Sequence, residues 1–468
     1  MNIVLFTDVT LLGYGKYAGP YRIASELRSS GYSVQVVDHF TRYSTQDFFK
    51  ILDKFVTDQT LWIGFTTTFN SRGDRDLKKY DYSSLDSVLG REDIPEIVEY
   101  AKNINPKIKV VAGGAKARSV ASSKIFDHII VGQGETSTVA LTKALVEGEK
   151  FPRFASDVEH PYNSFNSSMI EYQPQDIIFQ GEHLPIEIAR GCIFKCSFCT
   201  YPLNGKKMWE YVKQPDVLAD EMRRNYDLFK TQGYLVSDDT LNDSVEKVQH
   251  LHKSITSLPF DVTLGSYARL DLIVSHPHTL DLMYEMGSRS FFFGIETFNK
   301  KSGQSIGKGM DPNKIKQGLE YIKNRYPDIL ITGGFIFGLP YETKESLTET
   351  IEYLRSSPID HFTISPFQIH ADSLIAKDPA KYGFEIKDTR DWSNGHMTYN
   401  DAKELTIQAL DVLRPRNKLS YWFMHRVMNC GYTLEDCHNK YMTDEVKQEV
   451  RVKARQLREE YLTKLLSY

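Results

Sequence analysis

The chain has 468 residues, enough for two or three domains, and its 41 % hydrophobic content fills large cores. A formal net charge of −4 gives no electrostatic basis for a nucleic-acid surface. Five cysteines do not make a disulfide framework, and no run approaches about 18 apolar residues, so neither a disulfide scaffold nor a membrane span is expected.

The apolar start, Ile3-Val4-Leu5-Phe6, has no basic region before it and no cleavage site after it, and reads as a buried strand. Strands follow from the apolar runs at 3–7, 33–37, 61–66, 109–112 and 129–131, with helices at 20–29 and 94–103. This alternation predicts a doubly wound α/β domain over 1–150, a parallel sheet covered on both faces, with ligands at the carboxyl ends of its strands. The connection 69–91 is long for such a domain. It carries Arg72-Gly73-Asp74-Arg75-Asp76 and Lys78-Lys79-Tyr80-Asp81-Tyr82, and reads either as a lid or filler at the ligand edge or as a solvated loop.

Residues 151–184 lack periodicity and are expected to be a linker. Strands at 185–189, 234–237, 262–266, 290–294, 329–336 and 361–365, with amphipathic helices such as 215–229 and 344–355 between them, predict six βα units over 185–370. Chemistry in such folds sits at the carboxyl ends of strands. The tail, 371–468, is expected to be mainly helical, with an aromatic patch at Tyr421-Trp422-Phe423 and a solvated mixed-charge face over 445–466.

Directly after the first of these six strands comes Gly191-Cys192-Ile193-Phe194-Lys195-Cys196-Ser197-Phe198-Cys199. Three thiolates at this spacing hold three irons of a 4Fe–4S cluster and leave one iron open to a reactant. Zinc asks for a fourth ligand, and none is obvious nearby; three thiols that merely pack are the other rival. A cluster with an open iron points to a reducing, low-oxygen compartment, the cytoplasm. Further motifs end the later strands: Ser237-Asp238-Asp239-Thr240, Ala268-Arg269-Leu270-Asp271, Gly294-Ile295-Glu296 with Ile306-Gly307-Lys308-Gly309, and Gly333-Gly334-Phe335-Ile336-Phe337-Gly338-Leu339-Pro340-Tyr341-Glu342. Plainer roles exist for several: Asp239 or Thr240 as a helix cap, Arg269 as an ion-pair partner of Glu296 or Asp239, Pro340 and Glu342 as turn chemistry. Cys430 and Cys437 are too few for a second cluster.

The cysteine stretch and the order of these motifs resemble the radical S-adenosylmethionine enzymes. Val110-Val111-Ala112-Gly113-Gly114 and Ile130-Val131-Gly132-Gln133-Gly134-Glu135 resemble the cobalamin-binding domain that precedes the barrel in many of them. The resemblance implies a partial (βα)6 barrel, a 4Fe–4S cluster on Cys192, Cys196 and Cys199, and S-adenosylmethionine cleaved to a 5′-deoxyadenosyl radical. It implies that Phe198, Gly334 and Ile336 lie near adenine, that Asp238 or Asp239 faces the ammonium, that Arg269 pairs with the carboxylate, and that Glu296 accepts from ribose hydroxyls. Gly113, Gly114, Gly132 and Gly134 would let backbone approach a corrin. No D-x-H-x-x-G motif is present, so no histidine is expected below the cobalt. The implied function is cobalamin-dependent methyl transfer to an unactivated carbon or phosphorus of a small molecule or peptide. Its implied partner is a low-potential donor such as flavodoxin or ferredoxin. A cobalamin-free radical enzyme that rearranges, cyclises or oxidises its substrate is the alternative, and a non-catalytic redox sensor a more distant one. A methylthiotransferase is disfavoured, because residues 1–150 contain no cysteine for a further cluster.

Overall fold

The computed structural model describes residues 2–8, 11–67, 89, 93–114, 117–200, 205, 207, 209 and 211–468, and of 421–423 only the backbone. Apart from Leu89, the connection 69–91 with Arg72, Lys78, Lys79 and Tyr80 lies outside the described residues. The chain divides into two units. One is Met1–Pro185 with Asp220–Thr231 and Val450–Tyr468; the other is Ile186–Ala219 with Gln232–Glu449.

In the first unit the short apolar runs become strands buried on both faces, as parallel strands are. They are β1 (Ile3–Phe6), β2 (Val34–Val37), β3 (Trp62–Thr66), β4 (Lys109–Gly113), β5 (His128–Val131) and β6 (Phe154–Ser156). All pair in parallel, in the order β2-β1-β3-β4-β5-β6. The reversal between β1 and β3 is the switch point at which such sheets bind ligands. Helices α1 (Ala18–Ser29), α2 (Thr45–Phe55), α3 (Ile94–Ile104) and α4 (Glu135–Glu147) connect the strands. Helix α2 starts where the Ser44 hydroxyl accepts the Asp47 N–H at 3.1 Å, and it buries Phe48, Ile51, Leu52 and Phe55 at helical spacing.

Two sequence expectations need correction here. The segment 151–184 is not only a linker: residues 154–156 add a sixth strand, hidden from periodicity by a length of three residues and an exposed Phe154. Nor is 445–466 only a solvated face. Within Val450–Tyr468, Val450, Ala454, Tyr461 and Leu465 are buried, and the Tyr461 hydroxyl accepts the Asp38 N–H at 3.1 Å and lies 3.4 Å from the Val36 carbonyl. Arg28 donates to the Val34 carbonyl at 2.9 Å. Side chains thus cap the polar edge of strand β2, which otherwise invites pairing with another chain.

The second sheet keeps its strands in chain order: β7 (Leu184–Ile186), β8 (Gly233–Val236), β9 (Thr263–Ala268), β10 (Ser288–Glu296), β11 (Leu330–Phe337) and β12 (His361–Pro366). This is the wall of a (βα)6 barrel that does not close. Between its strands run α5 (Pro215–Phe229), α6 (Val245–Ile255), α7 (Leu270–Ser275), α8 (His278–Glu285), α9 (Lys300–Ser305), α10 (Pro312–Arg325) and α11 (Lys344–Ser356). The tail holds α12 (Leu374–Lys377), a hairpin of β13 (Glu385–Asp388) and β14 (Asp391–Ser393), α13 (Tyr399–Leu413), α14 (Tyr421–Asn429), α15 (Leu434–Asn439) and α16 (Asp444–Ser467). No described helix is long and apolar enough to cross a membrane.

Candidate functional site

The cysteine loop is built on a short extended pair. Ala189 bridges Val212, Arg190 N–H donates to the Tyr211 carbonyl at 2.9 Å, and Lys213 N–H to the Ile188 carbonyl at 2.8 Å. Gly191, at φ 76°, then turns the chain sharply; a side chain there would be strained. A turn closes Cys199 N–H onto the Cys196 carbonyl at 3.1 Å. Ser197 docks on the segment after α9, its N–H donating to the Ile306 carbonyl at 3.2 Å.

Cys192, Cys196 and Cys199 form no disulfide and are partly exposed. Among the described residues they do not gather as ligands of one ion; a cluster takes one thiolate per iron. The Cys192 sulfur lies 3.4 Å from the Thr240 hydroxyl. Burial raises the Cys196 thiol pKa, opposed by the nearby charges of Lys308 and Arg269. A soft donor triad beside two cations suits an anionic iron–sulfur cluster.

The other expected site residues divide into two groups. Asp238 is 3 % exposed, and its Oδ1 accepts the N–H groups of Ile188 and Ala189 at 2.9 and 2.8 Å. Its Oδ2 lies 3.4 Å from the Lys247 ammonium. It ties β8 to the base of the cysteine loop. Asp239 is partly exposed at the same strand end.

Arg269 is engaged three times. Its guanidinium donates to both Asp271 oxygens at 2.9 and 2.5 Å, lies 3.8 Å from the centre of the Phe194 ring, and points Nη1 at the Cys196 sulfur, 3.9 Å away. Neither Glu296 nor Asp239 is its principal partner. The Glu296 carboxylate instead lies 3.8 Å from Lys308 Nζ, which donates to the Gly294 carbonyl at 2.7 Å. Gly294 makes room for this: an added Cβ would stand 2.4 Å from Glu296 Oε1. Glu296 sits at φ 68°, a left-handed conformation that costs a non-glycine residue about 1–3 kcal/mol and concentrates at functional sites. Burial raises its carboxyl pKa, opposed by Lys308 and Arg269.

Lys308 is the residue that sequence reasoning missed. It stands in the Ile306-Gly307-Lys308-Gly309 run, but nothing local marks its ammonium as a partner of Glu296. The turn after α9 sets its place, with Lys308 N–H donating to the Gly303 carbonyl at 2.7 Å. That turn carries the side chain back to the end of β10, where Gly294 and Glu296 meet it.

Gly334 and Ile336 lie on β11. A Cβ at Gly334 would stand 2.6 Å from the Phe292 ring, so this glycine makes room for an aromatic side chain of the same sheet. Phe198 is partly exposed in the cysteine loop. Glu342 is buried: its Oε2 accepts the N–H groups of Gly338 and Leu339 at 2.8 and 3.0 Å, and Oε1 accepts the Thr297 hydroxyl at 2.6 Å. It staples the ends of β10 and β11. Cys430 and Cys437 are buried, and burial pushes the Cys437 thiol up to about 12, the mark of an inert packed thiol.

In the first unit the carboxyl ends of β1 and β2 are filled by the chain's own polar groups. Asp8 meets Thr41 and lies 3.8 Å from Arg42; Asp38 accepts from Lys16 at 2.7 Å and from the Tyr21 hydroxyl. The end of β3 borders a cavity of about 230 Å³, lined by Phe65, Thr66, Thr67, Ser119, Val120 and Phe126 among others. Among the described residues, an added Cβ at Gly113 would meet nothing within 4 Å, and Gly114 sits at φ 105°. Gly132 and Gly134 have internal reasons to lack side chains: Cβ atoms there would stand 2.6 Å from the Asp157 carboxylate and 3.2 Å from Ile23.

Residues 186–354 match the family model described as the radical SAM superfamily. An uncharacterized methyltransferase of Pyrococcus horikoshii is 24 % identical over 371 residues, 73 % of this chain and 74 % of that protein. The ribosomal protein uS12 methylthiotransferase of Actinobacillus succinogenes is 27 % identical over 227 residues, 44 % of this chain and 50 % of the relative. Among solved structures, the radical S-adenosylmethionine methyltransferase TsrM of Kitasatospora setae, with cobalamin and a [4Fe-4S] cluster bound, superposes with a TM-score of 0.61 at 13 % identity, covering 86 % of this chain and 81 % of that one. The cobalamin-dependent S-adenosylmethionine radical enzyme OxsB superposes with a TM-score of 0.59 at 14 % identity, covering 82 % and 56 %.

Proposed function

From the premise that residues 186–354 form a radical SAM domain, we propose that the chain is a cobalamin-dependent radical S-adenosylmethionine methyltransferase. The observation that carries the reading is the loop of Cys192, Cys196 and Cys199, set at the end of β7 with Arg269 and Lys308 beside it. When bound, the cluster and S-adenosylmethionine supply a 5′-deoxyadenosyl radical, and cobalamin supplies a methyl carrier.

The chain's own residues do the rest. The three thiols hold the cluster, and Arg269 orients the loop by gripping Phe194 while its Nη1 faces the Cys196 sulfur. Asp239 and the Glu296–Lys308 pair, at the ends of the second and fourth barrel strands, would bind the amino acid and ribose portions of the cofactor. Gly113 and Gly114 would admit cobalamin at the carboxyl edge of the first sheet, where the end of β3 borders a cavity for its tail. A methyl acceptor, an unactivated carbon or phosphorus, and a low-potential donor of the flavodoxin or ferredoxin kind complete the reaction, in the cytoplasm. The uS12 methylthiotransferase likeness does not carry over as an activity, because the chain has no cysteine before Cys192.

The experiment is anaerobic reconstitution with iron and sulfide, followed by reduction in the presence of S-adenosylmethionine. The wild-type chain should form 5′-deoxyadenosine and bind hydroxocobalamin, and the variant with Cys192, Cys196 and Cys199 all replaced by Ala should form none. Retained cleavage in that variant overturns the reading. Cleavage without cobalamin binding by the wild type moves the function to a cobalamin-free radical reaction.

A further inference from the structure

We propose that Tyr267 and Phe292 form the floor on which the substrate rests, and that this floor selects a substrate carrying a planar apolar ring. The proposal rests on the radical SAM reading above and adds the substrate class.

Side chains alternate along a strand, and residues in register across parallel strands share a face. Phe292 is in register with Tyr267, Gly294 with Gly334, Gly334 with Thr363 and Ile336 with Ser365. Arg269 follows Tyr267 by two residues in still extended backbone, φ −103° and ψ 122°. The guanidinium that faces Cys196 therefore stands on the same side of the sheet, one pleat above the floor. The opposite side is closed: Phe291 and Phe293 are wholly buried, whereas Tyr267 and Phe292 are partly exposed.

The floor is held in place from beneath and from its side. On the same face, the hydroxyls of Ser290, one repeat lower, and of Thr332, in register with Phe292, meet the Ser420 hydroxyl at 3.3 and 2.9 Å. Ser420 stands at the start of α14, which lies against β8, β9, β10 and β11 and closes the lower end of the barrel. Phe292 cannot retreat sideways, because its ring already fills the space of a side chain at Gly334, and it packs against Tyr267 with ring centres 4.6 Å apart. What remains is a rigid aromatic surface. Ile336 borders it, and the exposed Thr363 and Ser365 add hydroxyls on the edge strand. None of these five side chains is charged. Such a surface binds a flat apolar ring by stacking and edge contacts, with a hydroxyl pair to meet one polar substituent.

The test uses the reconstituted full chain and equilibrium dialysis. The probes are 2-naphthol, a planar apolar ring with one hydroxyl, and myo-inositol, a ring polar on every edge. The wild type should retain 2-naphthol and not myo-inositol. Thr363→Trp, placed at an exposed position, should cover the floor and lower 2-naphthol retention about tenfold or more at an unchanged melting midpoint. Phe292→Ala should shift preference toward the larger 1-hydroxypyrene. Equal retention of 2-naphthol by the wild type and both variants overturns the proposal. So does a wild type that forms 5′-deoxyadenosine yet retains no 2-naphthol, an outcome that leaves the radical SAM reading intact. A wild type that forms no 5′-deoxyadenosine overturns that reading and this proposal together.

Discussion

Arg269 lies over Phe194 with its guanidinium carbon 3.8 Å from the ring centre, so a barrel strand grips the middle of the cysteine loop through a stacked cation. The same guanidinium is forked by Asp271. Lysine carries the charge but not the plane or the fork. Arg269→Lys should therefore loosen the loop by about 1.5–3 kcal/mol, the range for charge-assisted hydrogen bonds. Iron retained per chain after gel filtration should fall, and the reduced cluster's electron paramagnetic resonance signal should broaden or shift. Unchanged iron content and signal would remove Arg269 from the support of the loop.

Adjacent carboxylates should part company. Asp238→Asn removes charge from a buried group that holds two backbone N–H groups and faces Lys247, and should lower the melting midpoint by a loss of about 1–3 kcal/mol. Asp239→Asn should lower the midpoint less than Asp238→Asn does and weaken S-adenosylmethionine binding about tenfold. Calorimetric titration and thermal melts of both variants check this; the reverse pattern would exchange the two roles.

Glycines at the edge of the first sheet give a cleaner pair. Gly113→Val meets no described atom within 4 Å and should leave stability unchanged while blocking hydroxocobalamin binding. Gly132→Ala drives a Cβ into Asp157 at φ 80° and should destabilise the unit by about 1–3 kcal/mol. Tight hydroxocobalamin binding by Gly113→Val would place the corrin elsewhere.

Glu342 makes stability depend on pH. Burial raises its carboxyl from 4.5 to about 7 in the folded chain, against the pull of its three hydrogen bonds. The folded state thus favours the protonated acid. That preference is fully present below about pH 4.5 and is lost as pH rises through about 7. Glu342→Gln keeps donors and acceptors for Thr297, Gly338 and Leu339 without a charge. Its stability relative to the wild type should rise by on the order of 2–3 kcal/mol between about pH 5 and about pH 8, by urea unfolding. A constant difference across that range would mean that Glu342 does not titrate there.

Periodic and spaced features were the ones open to reading from sequence. The strands of both sheets announce themselves as apolar runs between turns, and Cys192, Cys196 and Cys199 carry their chemistry in their spacing. Asp238 shows the limit. A carboxylate at a strand end serves equally as a cofactor ligand, a helix cap or an acceptor for a neighbouring strand, and only the position of Ile188 and Ala189 decides. Residues 154–156 were hidden because three residues show no period. The place of α14 against the barrel wall depends on Ser290 and Thr332, more than 80 residues earlier, and no local signal encodes it. Glycines were found as a type but not by purpose: a Cβ at Gly113 would meet no described atom, whereas Gly132 and Gly334 yield to Asp157 and Phe292.

Tyr461 seals the edge of β2 more than 400 residues downstream of the strand it covers. During synthesis at about 5–20 residues per second, that edge stays without Tyr461 for some tens of seconds after Val37 has left the ribosome. For that interval the nascent first unit presents an edge capped only in part, by Arg28 and Gln35, and it is then that a chaperone has a surface to hold.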